Sequence, residues 1–170
     1  MIFTTKAEYG VRLLVELGRH HEDGSPVSLK AIAEAEGLPL AYLERIVALL
    51  KKAALVESTR GAHGGYSLAL PPAEISVRAV IAASELTTFD LHCVSHPVET
   101  ARCSASEGCS IRPVWMMLQQ RIDDVLESVH LSDLLAEEGV VRERIGLLAA
   151  MSQSDDERAD GRRPLPVLQA

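Results

Sequence analysis

Residues 55–70 read LVESTRGAHGGYSLAL, two short β-prone runs, Leu55–Thr59 and Tyr66–Leu70, on either side of the glycine-rich RGAHGG. Pro71-Pro72 closes the stretch. Glycines supply the positive φ angles that a tight turn needs, so this pattern predicts a β-hairpin. The segments before it carry apolar residues at helical spacing. Together they restrict the chain to a mostly α fold with one small β-hairpin.

The helical segments have readable ends. Thr4 or Thr5 can cap a first helix over residues 4–20, with Ala7, Val11, Leu14 and Val15 as its apolar stripe and Gly18 thinning that stripe toward the end. Ser28 caps a short second helix, LKAIAEAE, which Gly37 ends. Pro39 opens a third helix to about Ala54. Its buried stripe is read as Leu40, Leu43, Val47 and Leu50, with Ala41, Arg45 and Ala48 on another face and Tyr42 and Glu44 near the entry. After the hairpin, Ser76 caps a fourth helix, VRAVIAASE. Aromatics make up only 4% of the chain, so the core must be built from Leu, Ile, Val and Ala. Helix, short helix, turn, helix and Gly-tipped hairpin, in that order, describe a winged helix-turn-helix.

From Ile111 to about Glu138 helical character returns. Trp115, Leu118, Ile122, Val125 and Val129 advance by 3, 4, 3 and 4, a heptad seam. Such a stripe either packs back on its own domain or buries itself in a homodimer, and two-fold association favours the dimer. The expected organisation is a winged helix-turn-helix over residues 1–86, a cysteine-bearing segment over 87–110, a long dimerisation helix and a C-terminal helix over 111–150, and a polar, disordered tail over 151–170.

A DNA partner follows from the fold and from the charge distribution. The net charge is −7, yet residues 1–70 hold eight Lys/Arg against eight Asp/Glu, while residues 71–170 hold nine against sixteen. Only the N-terminal part can approach a phosphate backbone without strong repulsion. On the third helix, Arg45 suits bidentate contact to guanine, Glu44 can accept from a cytosine amino group, and Tyr42 can reach phosphate. Lys51 and Lys52 are candidate phosphate contacts, and Arg60 and His63 stand at the wing. A protein-interaction module could share this architecture. No apolar run approaches the roughly 20 residues of a membrane span, and MIFTTKAEYG lacks the apolar core of a signal peptide, so a cytoplasmic protein is expected. RGAHGG lacks the following Lys-Ser/Thr of a phosphate-binding loop and no nucleophile–base pair is evident, so neither an enzyme nor a small-molecule substrate is expected.

All three cysteines fall in HCVSHPVETARCSASEGC, residues 92–109. Nine residues separate Cys93 from Cys103 and five separate Cys103 from Cys109, which is not the C-x2-C spacing of a zinc ribbon. Four readings stand: incidental thiols, a zinc site completed by His92 or His96, thiol-based redox sensing, or an iron–sulfur cluster wrapped by a loop that Pro97 and Gly108 make pliable.

The stretch VSLKAIAEAEGLPLAYLERIVALLKKAALVESTRGAHGGYSLAL, with the opening FTTKAEYGVRLLVELG, resembles the Rrf-type winged-helix transcriptional regulators, the group that includes IscR, NsrR and RirA. The resemblance runs from about residue 2 to residue 130. It implies a homodimeric regulator, often a repressor, that binds a double-stranded DNA operator. It also implies an iron–sulfur cluster whose state, set by iron supply, redox stress or nitric oxide, controls DNA affinity. Carried over, the recognition residues are Ala41, Tyr42, Glu44 and Arg45, with Arg60 in the wing. The cluster ligands are Cys93, Cys103 and Cys109, which leave one position of a four-iron cluster open. In IscR-like members a histidine three positions past the third cysteine fills it; here Arg112 stands there, and the chain departs from that branch. In NsrR-like members a carboxylate from the first helix of the other subunit fills it, and Glu8 occupies that place, with His92 or His96 as local alternatives. A 4Fe-4S cluster is expected, with 2Fe-2S as the rival. The contrasting class is a thiol-redox or metal-binding interaction protein without a cluster.

Overall fold

The computed structural model describes residues 4–61, 64–85, 109 and 111–146. In the first part of the chain the helices form where their caps predict. Thr4 Oγ1 accepts from the Lys6 N–H at 3.2 Å and opens α1, Thr5–Arg19. Ser28 Oγ accepts from the Ala31 N–H at 3.2 Å and opens α2, Leu29–Glu36. Pro39 precedes α3, Leu40–Lys52, and Ser76 Oγ accepts from the Ala79 N–H at 3.2 Å to open α4, Val77–Ser84. Each side-chain oxygen satisfies an amide that has no partner inside its own helix.

The hairpin pairs β1, Val56–Thr59, with β2, Gly65–Leu68, in the antiparallel register Val56↔Leu68 to Thr59↔Gly65. A third strand segment joins it. Val27 and Tyr66 exchange both backbone hydrogen bonds, at 2.9 and 2.8 Å. The loop before α2 is thereby tied to the wing, which no local pattern in the sequence indicates.

Between α3 and β1 the chain turns through Ala54 at φ +57°. The Ala54 N–H donates to the Lys51 carbonyl and the Leu55 N–H to the Leu50 carbonyl, both at 3.0 Å. This is a Schellman closure with Leu55 and Leu50 both buried, and its left-handed position is one that glycine normally fills. An Ala there carries a Cβ that crowds the following carbonyl. Ala54→Gly is therefore expected to raise the unfolding free energy by about 1 kcal/mol, read as an upward shift of the urea midpoint at unchanged slope.

The core surrounds α1. Leu13, Leu14 and Leu17 are fully buried against Leu43, Ile46, Val47 and Leu50 of α3, Ile32 of α2 and Val80 of α4. Two stripe assignments change. On α1, Val11 and Val15 are only half-buried while Leu13 and Leu17 are core, because α1 is covered by α3, α4 and the hairpin at once and buries more than one row. On α3, Leu40 is 39% exposed and Ile46 takes its place inside. Gly18 also differs from expectation. Its bare backbone admits the 3-10 turn Leu131–Leu135, since a Cβ there would lie 2.9 Å from Leu135 Cδ2.

The long helix α5 spans Arg112–Ser128 and stops ten residues short of the expected Glu138. Val129 and His130 instead run beside Ile75–Val77, with Ser76 and His130 forming an antiparallel bridge. The Val77 N–H donates to the Val129 carbonyl at 2.9 Å, and the Leu131 N–H to the Ile75 carbonyl at 2.8 Å. Pairing with a segment some 50 residues away outcompetes helix continuation. The chain divides into two units, Met1–Leu135 and Ala136–Ala170. The second contains a helix over residues 138–146, with Arg142 paired to Glu138 at 2.7 Å. The tail assigned to residues 151–170 lies outside the described residues.

Candidate nucleic-acid interface and metal-ligand residues

The two faces of α3 separate at a spacing of three and four. Leu43, Ile46, Val47 and Leu50 point into the core, while Ala41, Glu44, Arg45, Ala48, Lys51 and Lys52 are exposed. Tyr42 is half-buried. Its ring meets Tyr9 of α1 edge-on, with centroids 5.5 Å apart and planes at 85°, so α1 fixes the entry end of α3. At the other end, Lys51 Nζ donates to Ser58 Oγ of β1, joining helix and wing. Arg60 is exposed directly after β1; His63 lies outside the described residues. The wing turn closes through the Gly64 N–H to the Gly61 carbonyl at 3.0 Å. A Cβ at Gly64 would lie 2.3 Å from the Thr59 carbonyl oxygen, so the turn excludes any larger residue without backbone movement.

Charge pairing distinguishes this face. Arg12, Arg19, Arg78 and Arg142 each meet a carboxylate within 4 Å, whereas Arg45 and Arg60 make no ion pair among the described residues. Unneutralised guanidinium groups beside Lys51 and Lys52 form a surface suited to phosphate and base edges.

The metal-ligand candidates are spread between α1 and the cysteine segment. Cys93, Cys103, His92 and His96 lie outside the described residues, and Cys109 is exposed three positions before α5 begins. Glu8, in the first turn of α1, is exposed and pairs with Arg12 at 3.0 Å. A surface pair of this kind contributes at most about 1 kcal/mol, so it does not withhold the carboxylate from a metal. Among the described residues no three His, Cys, Asp or Glu side chains converge on one point. The donor chemistry, three thiols with an accessible carboxylate, fits an iron–sulfur cluster with one weaker oxygen corner. Glu8 borders an open groove of about 560 Å³ between α1 and α4, floored by Ala7, Val11, Val77, Ile81 and Leu126.

No residue of α5 is buried. Trp115, Leu118 and Val125 are exposed, the latter two at 40% and 50%, and Ile122 is half-buried. Met116, Met117, Ile111 and Val114 extend the apolar surface. The polar edge of α5 is what faces α4: Arg78 pairs with Asp123 at 3.4 Å and Ser76 Oγ donates to Glu127 at 3.2 Å. Val129 departs from the seam. It is 6% exposed and belongs to the core, placed there by the pairing with Val77.

Tyr9, Arg12, Ser58 and Glu85 make contacts that the sequence did not indicate. Arg12 had a local signal, its position four residues after Glu8; the others depend on tertiary placement.

The family described as "Rrf2: Iron-dependent Transcriptional regulator" matches residues 3–137. The HTH-type transcriptional regulator IscR of Aliivibrio salmonicida is 34% identical over 160 residues, covering 89% of each chain. IscR of Serratia proteamaculans is 34% identical over 170 residues, 95% of this chain and 93% of the relative. Among solved structures, T. potens IscR superposes with a TM-score of 0.65 at 38% identity, covering 82% of this chain and 90% of that one. CymR, the global cysteine regulator of B. subtilis, superposes with a TM-score of 0.65 at 33% identity, covering 79% and 96%. Among the described residues no helix is long and apolar enough to cross a membrane.

Proposed function

The chain belongs to the Rrf2 family of transcriptional regulators, and from that premise we propose a cytoplasmic, homodimeric repressor whose affinity for operator DNA is set by an iron–sulfur cluster. The DNA-reading half rests on the exposed face of α3 and the wing, where Arg45 and Arg60 stand without ion pairs among the described residues. Ala41, Tyr42, Glu44 and Arg45 enter the major groove, Lys51 meets phosphate while bracing the wing, and Arg60 and His63 reach the neighbouring backbone or minor groove. Trp115, Leu118, Ile122 and Val125 form the two-fold interface.

Cys93, Cys103 and Cys109 hold the cluster, 4Fe-4S in preference to 2Fe-2S, and Glu8 of the second subunit completes it. When bound, the cluster supplies a centre that responds to iron supply, oxidants or nitric oxide. The chain converts its state into geometry. Glu8 lies on α1, and α1 packs on α3 through Leu13, Leu14 and the Tyr9–Tyr42 contact. Engaging or releasing Glu8 therefore biases where the two recognition helices sit. Half-sites are about one helical turn apart, so a small reorientation costs affinity.

Purification without oxygen tests the sensing half. The protein is expected to be brown, and Cys→Ala at position 93, 103 or 109 to remove the visible absorption. Colourless protein that binds operator equally well with all three cysteines replaced would sink that half. Colourless protein whose affinity changes with a thiol oxidant would instead support cysteine-based sensing.

A further inference from the structure

Glu36 is the last residue of α2, directly before Gly37, whose φ of +65° turns the chain toward α3. Its two carboxylate oxygens go to different arginines of α1. Oε1 accepts from Arg19 Nη1 at 3.4 Å, and Oε2 lies 3.5 Å from Arg12 Nη1. Arg12, Glu16 and Arg19 share one face of α1 at spacings of four and three, and Glu16 also holds Arg19 Nη1, at 2.6 Å. The Glu36 side chain is only 13% exposed, although a helix C-terminus disfavours a carboxylate. Two guanidinium groups offset that cost. Little else fixes the tilt of α2, which has eight residues and Ile32 as its one buried side chain. A single buried side chain is a pivot, not a footing, for so short a helix. Val27, just before α2, is bonded to Tyr66 of the wing. The entry of α2 is therefore held by the wing, its middle by Ile32 and its exit by Glu36.

We propose that Glu36 is a positioning residue for DNA reading, which sets the tilt of α2 by joining its exit to Arg12 and Arg19. This rests on the DNA-reading half of the function proposed above and needs no metal. In a helix-turn-helix the first helix crosses the phosphate backbone while the second enters the groove. A tilt of α2 pulls its phosphate contacts out of register with the bases that α3 reads. The sign of the effect separates this role from that of a simple charge. Removing a carboxylate from a DNA-binding domain lowers repulsion and strengthens binding to any sequence. Losing the clamp weakens operator binding in spite of the more favourable charge.

Three variants of the full-length protein, purified without oxygen, test the idea. A duplex that the parent selects from a random-sequence library serves as operator, and its scrambled counterpart as the non-specific probe. Glu36→Ala removes the clamp, and Glu36→Gln keeps the shape and one acceptor. Glu34→Ala is the control: it makes the same charge change on the same helix, at a side chain 70% exposed whose partner is Lys30 at 3.9 Å. Glu36→Ala is expected to bind the selected duplex about 10-fold more weakly, with the scrambled duplex bound at least as well as by the parent. Glu36→Gln should lose about 3-fold, because an uncharged acceptor is held less strongly. Glu34→Ala should leave the ratio of the two affinities unchanged. Amide exchange should accelerate in residues 33–36 of Glu36→Ala and not in residues 47–50. An unchanged affinity ratio in Glu36→Ala overturns the positioning role, and so does an equal fall of that ratio in Glu34→Ala. If Glu36→Ala fails to fold, Glu36→Gln decides by the same ratio. If the parent enriches no sequence from the library, base reading itself fails and this proposal with it, a failure that appears before any variant is compared.

Discussion

Replacing Leu118 and Val125 together by arginine is expected to give a folded monomer that binds operator DNA at least about 100-fold more weakly than the parent. The two positions are 40% and 50% exposed, and no residue of α5 contributes to the buried core. The monomer therefore loses little packing, and its thermal unfolding should change little. Across a two-fold axis every substitution is repeated, so two changes put four guanidinium groups into one apolar seam. Each must be desolvated without a partner, and the copies repel one another. A single recognition helix then binds one half-site without a tether to the second. Loss of such tethering commonly costs about 10²–10⁴ in affinity. Light scattering after size exclusion reads the oligomeric state, and fluorescence anisotropy at fixed salt reads the affinity. A dimer with unchanged affinity would remove α5 as the interface. Arginine at Val129 would have a different outcome, because that side chain is inside the core and its replacement would unfold the unit.

The caps and the exposed row of α3 were legible because their signals are local. Thr4, Ser28, Ser76 and Gly37 act within three or four residues, and the exposed row Ala41, Arg45 and Ala48 follows directly from the helical repeat. What was not legible involves residues far apart in the chain. Val27 pairs with Tyr66, and Ile75–Val77 with Val129–Leu131, and the second pairing ends α5 where periodicity would have continued it. Gly18 looks like a weak point of an apolar stripe, yet it marks a place where another segment touches the α1 backbone, as Gly10 does beside Ser84. The site divides in the same way. Arg45 and Glu8 could be nominated from sequence, whereas the contacts that hold their helices, Tyr9 to Tyr42 and Glu85 to Thr4, depend on how α1 crosses α3 and α4.

Arg45→Ala should lower operator affinity at least about 30-fold and flatten discrimination between operator and scrambled DNA. Arg45 projects from the exposed row between Ala41 and Ala48, whose small side chains would let the helix approach the floor of a major groove. It makes no ion pair among the described residues, so its donors are available to a base. A bidentate contact to guanine contributes about 1–3 kcal/mol of discrimination, and a dimer repeats it in both half-sites. Arg45→Lys keeps the charge but not the planar fork, and should recover non-specific binding without recovering discrimination. Lys52→Ala provides the contrast. It should weaken operator and scrambled DNA alike and reduce the slope of log affinity against log salt by about 0.9 for each phosphate that the lysine neutralises. Titrations of both sequences at several salt concentrations separate the two behaviours. If Arg45→Ala weakens both DNAs equally and changes the salt slope as Lys52→Ala does, Arg45 is a phosphate contact, and base reading falls to Glu44 and the wing.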